Sequence, residues 1–89
     1  MAKSVFTNEY EALLQCLVSA RNAAGLTQNQ LAKKLRKPQS FISKYENGER
    51  RLDVVEFMKI ARVIGSDPYK LLKEMEGRAS EKKSPKEAE

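Results

Sequence analysis

The sequence predicts an all-α domain of five helices, because its apolar residues recur at helical spacing and polar residues mark helix starts and stops. Its 89 residues are enough for one small domain with a single modest core. Only three prolines and four glycines occur, and most of them fall between the apolar segments. No stretch alternates apolar and polar residues in the manner of a β-strand.

The first two helices each begin with a capping signature. Asn8 is followed three residues later by Glu11, and Thr27 is followed in the same way by Gln30. At this spacing a side chain and a backbone N–H cap each other reciprocally. Apolar residues at helical spacing follow each signature, and Gly25 ends the first helix. We therefore expect helix 1 to begin at Asn8 and helix 2 to begin at Thr27.

Helix 3 lies between a proline and a glycine. Lys37-Pro38 ends helix 2 and allows the next helix to begin, because proline lacks an N–H and disfavours helical geometry in the residue before it. The turn signal Asn47-Gly48 then stops helix 3. Between them, Ile42 and Tyr45 are expected to point into the core.

The last two helices follow the same logic. Asp53 with Glu56 caps helix 4, and Gly65 closes it. Pro68 suits the first position of helix 5, because its missing N–H would have no partner there in any case.

Three segments are expected along the chain. Residues 1–7 form a flexible N-terminus, and residues 8–76 form the domain. Residues 77–89 form a charged tail without apolar residues larger than alanine, which predicts disorder.

The whole net charge of the chain lies in residues 26–51. This segment carries seven basic and two acidic residues, a surplus of +5, whereas residues 1–25 and 52–89 are each balanced. A positive surplus confined to two short helices is typical of a surface that binds a polyanion.

The composition argues against several other functions. The chain has no histidine, which removes the commonest general base and transition-metal ligand. Its single cysteine, Cys16, excludes an internal disulfide and is expected to be a small core residue. We therefore expect no enzymatic activity, no catalytic or metal-binding residues and no cofactor. The absence of a secretion signal or an apolar span predicts a cytoplasmic protein without a membrane partner.

The basic segment also has the layout of a DNA-binding unit. Two short helices that meet across a tight turn allow the second to enter the major groove of DNA. The first helix then directs its N-terminal amides at a backbone phosphate.

A family resemblance points the same way. The residues from Leu26-Thr27-Gln28 through Glu46-Asn47-Gly48 and Arg50 resemble the helix-turn-helix of the phage repressor/Cro/XRE family. The resemblance covers residues 10 to 75. It implies a five-helix, lambda-repressor-like DNA-binding domain with its helix-turn-helix at helices 2 and 3. The implied function is that of a sequence-specific, double-stranded DNA-binding transcriptional regulator.

The predicted DNA contacts fall into two groups. Helix 3 exposes one face away from Ile42, and Gln39 on this face carries the paired donor and acceptor that match adenine. The resemblance implies that Gln39, Ser40 and Lys44 read bases and that Gln28 and Asn47 bind phosphates. With the residues added from their position and charge, the predicted base-reading residues are Gln39, Ser40, Ser43 and Lys44, and the predicted phosphate-binding residues are Thr27, Gln28, Asn47, Arg50 and Arg51.

The resemblance further implies a partly buried ion pair between Arg21 and Glu46, which would tie helix 1 to helix 3. Two independent exposed charges are the alternative.

Two positions leave alternatives open. Phe41 could touch a thymine methyl group, although packing over helix 2 is the simpler interpretation.

The family usually has glycine after helix 2, where this chain has Arg36. Arg36 therefore either adopts a strained left-handed conformation or belongs to a different turn.

Helix 4 has more apolar residues than one core stripe needs. An all-round apolar helix in so small a domain requires a second surface. We expect Val54, Met58 or Val63, with Tyr69 or Leu71 of helix 5, to meet a second copy. The protein would then act as a dimeric repressor on a palindromic operator. The alternative is an antitoxin-like or anti-repressor module whose main partner is another protein.

Overall fold

The computed structural model of the protein describes residues 8–82, which contain five α-helices and no β-strand. The predicted all-α fold is therefore confirmed. The helices are α1 (Asn8–Ala23), α2 (Gln28–Leu35), α3 (Gln39–Glu46), α4 (Val54–Ile64) and α5 (Pro68–Lys82). Within the described part of the chain, no helix is long and apolar enough to cross a membrane. The predicted flexible N-terminus, residues 1–7, lies outside the described residues.

Both capping boxes predicted for α2 and α4 are confirmed. The Thr27 hydroxyl accepts a hydrogen bond from the Gln30 N–H at 3.0 Å, and the Gln30 side chain accepts one from the Thr27 N–H at 2.9 Å. Asp53 and Glu56 exchange the same two bonds, at 2.7 and 2.9 Å. These bonds satisfy backbone donors that a helix start would otherwise leave without partners.

The turn between α2 and α3 adopts the left-handed alternative. Arg36 has φ 60° and ψ 44°, a region that costs most side chains roughly 1 kcal/mol or more. The next N–H, that of Lys37, donates to the Ala32 carbonyl at 3.0 Å, which closes the end of α2. Pro38 then precedes the first residue of α3 in extended geometry.

The core forms where the five helices converge. The largest fully buried side chains belong to α1, α2, α3 and α4 and are Tyr45, Leu17, Leu31, Ile42, Ile60 and Cys16. Cys16 therefore has the predicted core position, and burial raises the pKa of its thiol. Because α3 buries Ile42 and Tyr45, its opposite face is available to solvent.

The end of α5 differs from the prediction. A disordered tail was expected from Gly77, but the helix continues through this glycine to Lys82. Ala79 is only 4% exposed, and Arg78 donates to the Gln15 side chain of α1 at 3.5 Å. Packing on α1 therefore extends the helix beyond Gly77. The sequence did not indicate this packing, because the segment contains no large apolar residue and the contact is made by an alanine. Residues 83–89 of the predicted tail lie outside the described residues.

The apolar residues of α4 and α5 divide into two sets. Met58 and Val63 are partly buried against the core, and Leu71 is buried in it. The suggestion that Leu71 meets a second copy was therefore wrong. The residues that do expose large apolar side chains are Val54, Val55, Tyr69 and Leu72.

Two buried tyrosines differ in how their hydroxyl groups are satisfied. The Tyr10 hydroxyl accepts from the Leu52 N–H at 3.1 Å and fastens the loop between α3 and α4 to α1. The Tyr45 hydroxyl is fully buried and has no hydrogen-bond partner among the described residues. Burial also raises the pKa of Tyr45, so the hydroxyl stays neutral.

Arg36→Gly is expected to raise the free energy of unfolding by about 1 kcal/mol, because glycine adopts positive φ without strain. Lys34→Gly is the matched control, since it places glycine in the last turn of α2, where the residue is helical, and should lower stability by up to about 1 kcal/mol. Chemical denaturation measures both. A loss of stability in both variants would contradict the strain at Arg36.

Tyr45→Phe is expected to leave the free energy of unfolding unchanged or to raise it by up to about 1 kcal/mol, because it removes a buried hydroxyl that lacks a partner. Tyr10→Phe should lower it by about 1 kcal/mol, because it breaks the bond to Leu52. Thermal unfolding of the two variants provides the comparison. Equal losses would show that the Tyr45 hydroxyl also makes a stabilising bond.

Candidate nucleic-acid interface

The outer face of α3 presents most of the predicted base-reading residues to solvent. Gln39, Ser40 and Lys44 are exposed, and Asn47 is exposed at the end of the helix. Ser43 differs, because it is half-buried and its hydroxyl donates to the Ser40 carbonyl at 3.3 Å. The face therefore combines an amide, a small hydroxyl and a cation within two helical turns.

An ion pair holds α3 against α1. Arg21 Nε lies 2.8 Å from Glu46 Oε2, and Arg21 Nη2 donates to Glu46 Oε1 at 3.1 Å. The two side chains are only 11% and 6% exposed. Arg21 also donates to the Leu26 carbonyl at 2.9 Å. This bond connects the turn before α2 to the same guanidinium. The pair implied by the resemblance is present, with the bidentate geometry that gives a guanidinium its strongest contacts.

A chain of hydrogen bonds runs from this ion pair to the outer face. Gln28 Nε2 donates to Glu46 Oε1 at 2.8 Å, and Gln28 Oε1 accepts from Gln39 Nε2 at 3.4 Å. Gln28 was predicted to bind phosphate. In the structure its half-buried side chain connects the carboxylate of Glu46 to the amide of Gln39, and its contact with phosphate stays a prediction. The sequence did not reveal this link, because the three residues come from different turns and only the fold brings them together.

The start of α2 carries the other predicted phosphate contact of this helix. Thr27 is exposed, but its hydroxyl already caps the Gln30 N–H. The backbone amides of the first turn lie beside it, and the dipole of α2 favours an anion at this end.

Arg50 is engaged within the protein. Its Nη1 and Nη2 atoms donate to the two carboxylate oxygens of Glu56 at 3.0 and 2.8 Å. This hydrogen bonding lowers the pKa of Glu56 and raises that of Arg50. The sequence predicts Glu56 only as a capping residue, and it gives no sign that the same carboxylate binds Arg50. The phosphate contact predicted for Arg50 therefore has a competitor within the protein.

Arg51 lies against an aromatic ring of α1. Its guanidinium carbon is 4.2 Å from the centroid of the Tyr10 ring, while the side chain is exposed. Tyr10 therefore supports the loop through its ring and through its hydroxyl, which accepts a hydrogen bond from the Leu52 N–H. Nothing in the sequence pattern indicated this role for Tyr10.

Phe41 packs inward rather than on the outer face of α3. Its ring meets the Tyr45 ring edge-on at 5.7 Å, and the guanidinium of Arg50 lies 4.7 Å from its centroid. The side chain is partly buried against the core. These contacts favour the packing interpretation over contact with a thymine methyl group.

The basic residues that remain exposed surround α2 and α3. Those of α2, α3 and the adjoining loops provide a positive field that attracts a polyanion, and they are Lys33, Lys34, Arg36, Lys37, Lys44 and Arg51. A groove of about 580 Å³ lies nearby between α1, the end of α3 and α5, and its lining includes Glu11, Asn47 and Arg78. Among residues 8–82, no cluster of acidic or cysteine side chains could hold a metal ion.

Glu46→Ala is expected to lower the free energy of unfolding by about 3 kcal/mol, because it leaves the guanidinium of Arg21 buried without its carboxylate. Glu49→Ala is the control, since Glu49 is exposed three residues further on and should change stability by about 0.5 kcal/mol or less. Urea denaturation distinguishes them. Equal effects in the two variants would mean that the ion pair contributes little to the fold.

Comparison with known proteins agrees with this geometry. A family model described as helix-turn-helix matches residues 17–71, from the middle of α1 into α5. None of the curated proteins matches the chain. Among solved structures, an XRE-family like protein from Pseudomonas syringae pv. tomato str. DC3000 is 59% identical and superposes with a TM-score of 0.74. The match covers 78% of this chain and 84% of that chain. The protein therefore belongs to the XRE family of helix-turn-helix proteins, which are DNA-binding transcription regulators.

Proposed function

We propose that the protein recognises a specific DNA sequence by placing α3 in the major groove and represses transcription by occupying its operator. The observation that carries this proposal is the exposure of Gln39, Ser40 and Lys44 on one face of a helix that the Arg21–Glu46 pair holds from behind. The major groove is about 12 Å wide and accommodates an α-helix in this way.

Gln39 is the strongest candidate for reading a base. One hydrogen of its amide nitrogen is directed to Gln28, which leaves one N–H donor and the carbonyl oxygen. Adenine offers one acceptor and one donor on its major-groove edge, so the remaining groups of Gln39 match it. Because Gln28 is fixed by Glu46, the amide is oriented before DNA arrives, and less side-chain freedom is lost on binding.

The neighbouring residues suit supporting roles. Lys44 is exposed one turn further along α3 and can reach the acceptors of guanine or a phosphate. Ser40 and Ser43 supply small hydroxyl groups for contacts with bases. The amides beside Thr27 precede α3 along the chain, and the exposed Asn47 and Arg51 side chains follow it. In this proposal they fix the register of α3 by binding phosphates.

A dimer on a palindromic operator fits the exposed apolar residues of α4 and α5. Val54 is 72% exposed and Tyr69 is 70% exposed, and large apolar side chains of this kind often mark a contact with another chain. Two-fold pairing through these helices would place two copies of α3 about 34 Å apart, one turn of the DNA helix.

The same apolar residues support a second candidate function. A different protein could cover Val54, Val55, Tyr69 and Leu72 in place of a second copy. The chain would then be an antitoxin-like or anti-repressor module that also binds its own operator.

Selection of bound sequences from a random duplex library tests the proposal. We expect a palindromic consensus for the natural protein, and Gln39→Ala should relax one symmetric pair of positions at a cost of about 1–3 kcal/mol. Lys33→Ala is the control, because an exposed lysine of α2 should weaken binding to all sequences alike. An unchanged consensus with Gln39→Ala would contradict base reading by this residue. A consensus without two-fold symmetry would contradict the dimer.

A further inference from the structure

Arg50, in the loop between α3 and α4, forms an ion pair with Glu56 at the start of α4. Arg50 uses both terminal nitrogens to bind the two oxygens of Glu56, at 3.0 and 2.8 Å. Its Nη1 atom also donates to the Arg51 carbonyl at 2.9 Å. The guanidinium is thus held in the bidentate arrangement that arginine uses for carboxylates and for phosphates.

The aromatic ring beneath this pair keeps the guanidinium near the surface. The Arg50 guanidinium lies 4.7 Å from the centroid of Phe41. The Arg50 side chain is 41% exposed and that of Glu56 is 20% exposed. Arg50 therefore lies at the edge of the basic surface, within the loop that leads away from α3, with its charge balanced by one carboxylate.

We propose that Glu56 limits the affinity for DNA by occupying the Nη1–Nη2 edge of the Arg50 guanidinium and withholding this edge from a phosphate. This inference rests on the proposed placement of α3 and the following loop against DNA. The Nη1–Nη2 edge of a guanidinium binds one oxyanion in bidentate geometry at a time, so a phosphate must displace the carboxylate to bind this edge. Glu56 also places a negative charge beside the surface that DNA approaches, which opposes binding further.

The Glu56 carboxylate is fixed in position and ionised, so it competes effectively with a phosphate for Arg50. Glu56 lies in the first turn of α4 and accepts the Asp53 N–H at 2.9 Å, so the capping box fixes its position. The hydrogen bonds from Arg50 and Asp53 keep its pKa below the usual range, so it is ionised at neutral pH. A phosphate therefore competes with a charged group that is already in place.

Glu56→Gln removes the negative charge and preserves the cap. In α2 of the same chain, Gln30 occupies the corresponding position and accepts the Thr27 N–H at 2.9 Å. A glutamine at position 56 can accept the Asp53 N–H in the same way. The Arg50 guanidinium keeps its contact with Phe41 and becomes available to an external phosphate.

Glu49→Gln is the matched control. Glu49 is an exposed residue of the same loop, so this variant raises the net charge by the same amount. Any general increase in attraction for DNA appears in both variants. Only Glu56→Gln releases the Nη1–Nη2 edge of Arg50.

The measurement is the affinity for a random-sequence duplex of about 20 base pairs as a function of salt, because one additional phosphate contact steepens log K against log salt by about 0.9. Between about 50 and 200 mM salt, Glu56→Gln should lose about threefold more affinity than Glu49→Gln does. The difference should disappear when both variants also carry Arg50→Gln. If a constant fraction of a variant is unfolded, its affinity falls by the same factor at every salt concentration, so the slope does not change.

Three results would overturn the inference. Equal slopes for Glu56→Gln and Glu49→Gln would show that the carboxylate withholds no phosphate contact, and the proposed function would stand. Weaker binding by Glu56→Gln at an unchanged slope would show that the pair only supports the loop. If the natural protein did not bind the duplex in a salt-dependent manner, the proposed DNA surface would fail together with the inference.

Discussion

The carboxylate of Glu46 is the interaction on which the arrangement of the site depends. It is almost inaccessible to solvent and accepts hydrogen bonds from Arg21 and Gln28, so it joins α1, α2 and α3 at one point. A buried carboxylate without these donors would be costly, and a buried guanidinium without the carboxylate equally so. The relative position of α2 and α3 is therefore coupled to charge pairing, and the amide of Gln39 is oriented from the same point through Gln28.

Two arginines of the protein serve its own structure rather than the positive field. Arg21 is buried with Glu46, and Arg50 is balanced by Glu56. The positive field around α2 and α3 consequently comes from the other basic residues of this region, which are exposed. This division separates the residues that set the shape of the site from those that attract DNA. The chain, with a net charge of +5, can therefore fix the position of α3 by ion pairing and still present a strongly basic surface.

Local patterns in the sequence were sufficient to predict the five helices, the capping boxes of α2 and α4 and the outer face of α3, because caps, stops and helical periodicity act over a few residues. Contacts between distant turns were harder to predict. Tyr10 supports a loop more than forty positions away, and the link from Gln28 to Gln39 exists only once α2 and α3 cross. The end of α5 was missed because Ala79 contributes packing without an apolar signal. The resemblance to the family supplied Arg21 and Glu46, which charge patterning alone left unpaired.

Chemical-shift mapping tests the central claim most directly. When a selected duplex is added to isotopically labelled protein, the account predicts that the largest backbone amide changes fall at the start of α2, along α3 and in the loop through Arg51. The side-chain amide of Gln39 should shift as well, because it exchanges solvent for a base edge. Changes concentrated on α5 or in the groove beside α1, with α3 unaffected, would contradict the account.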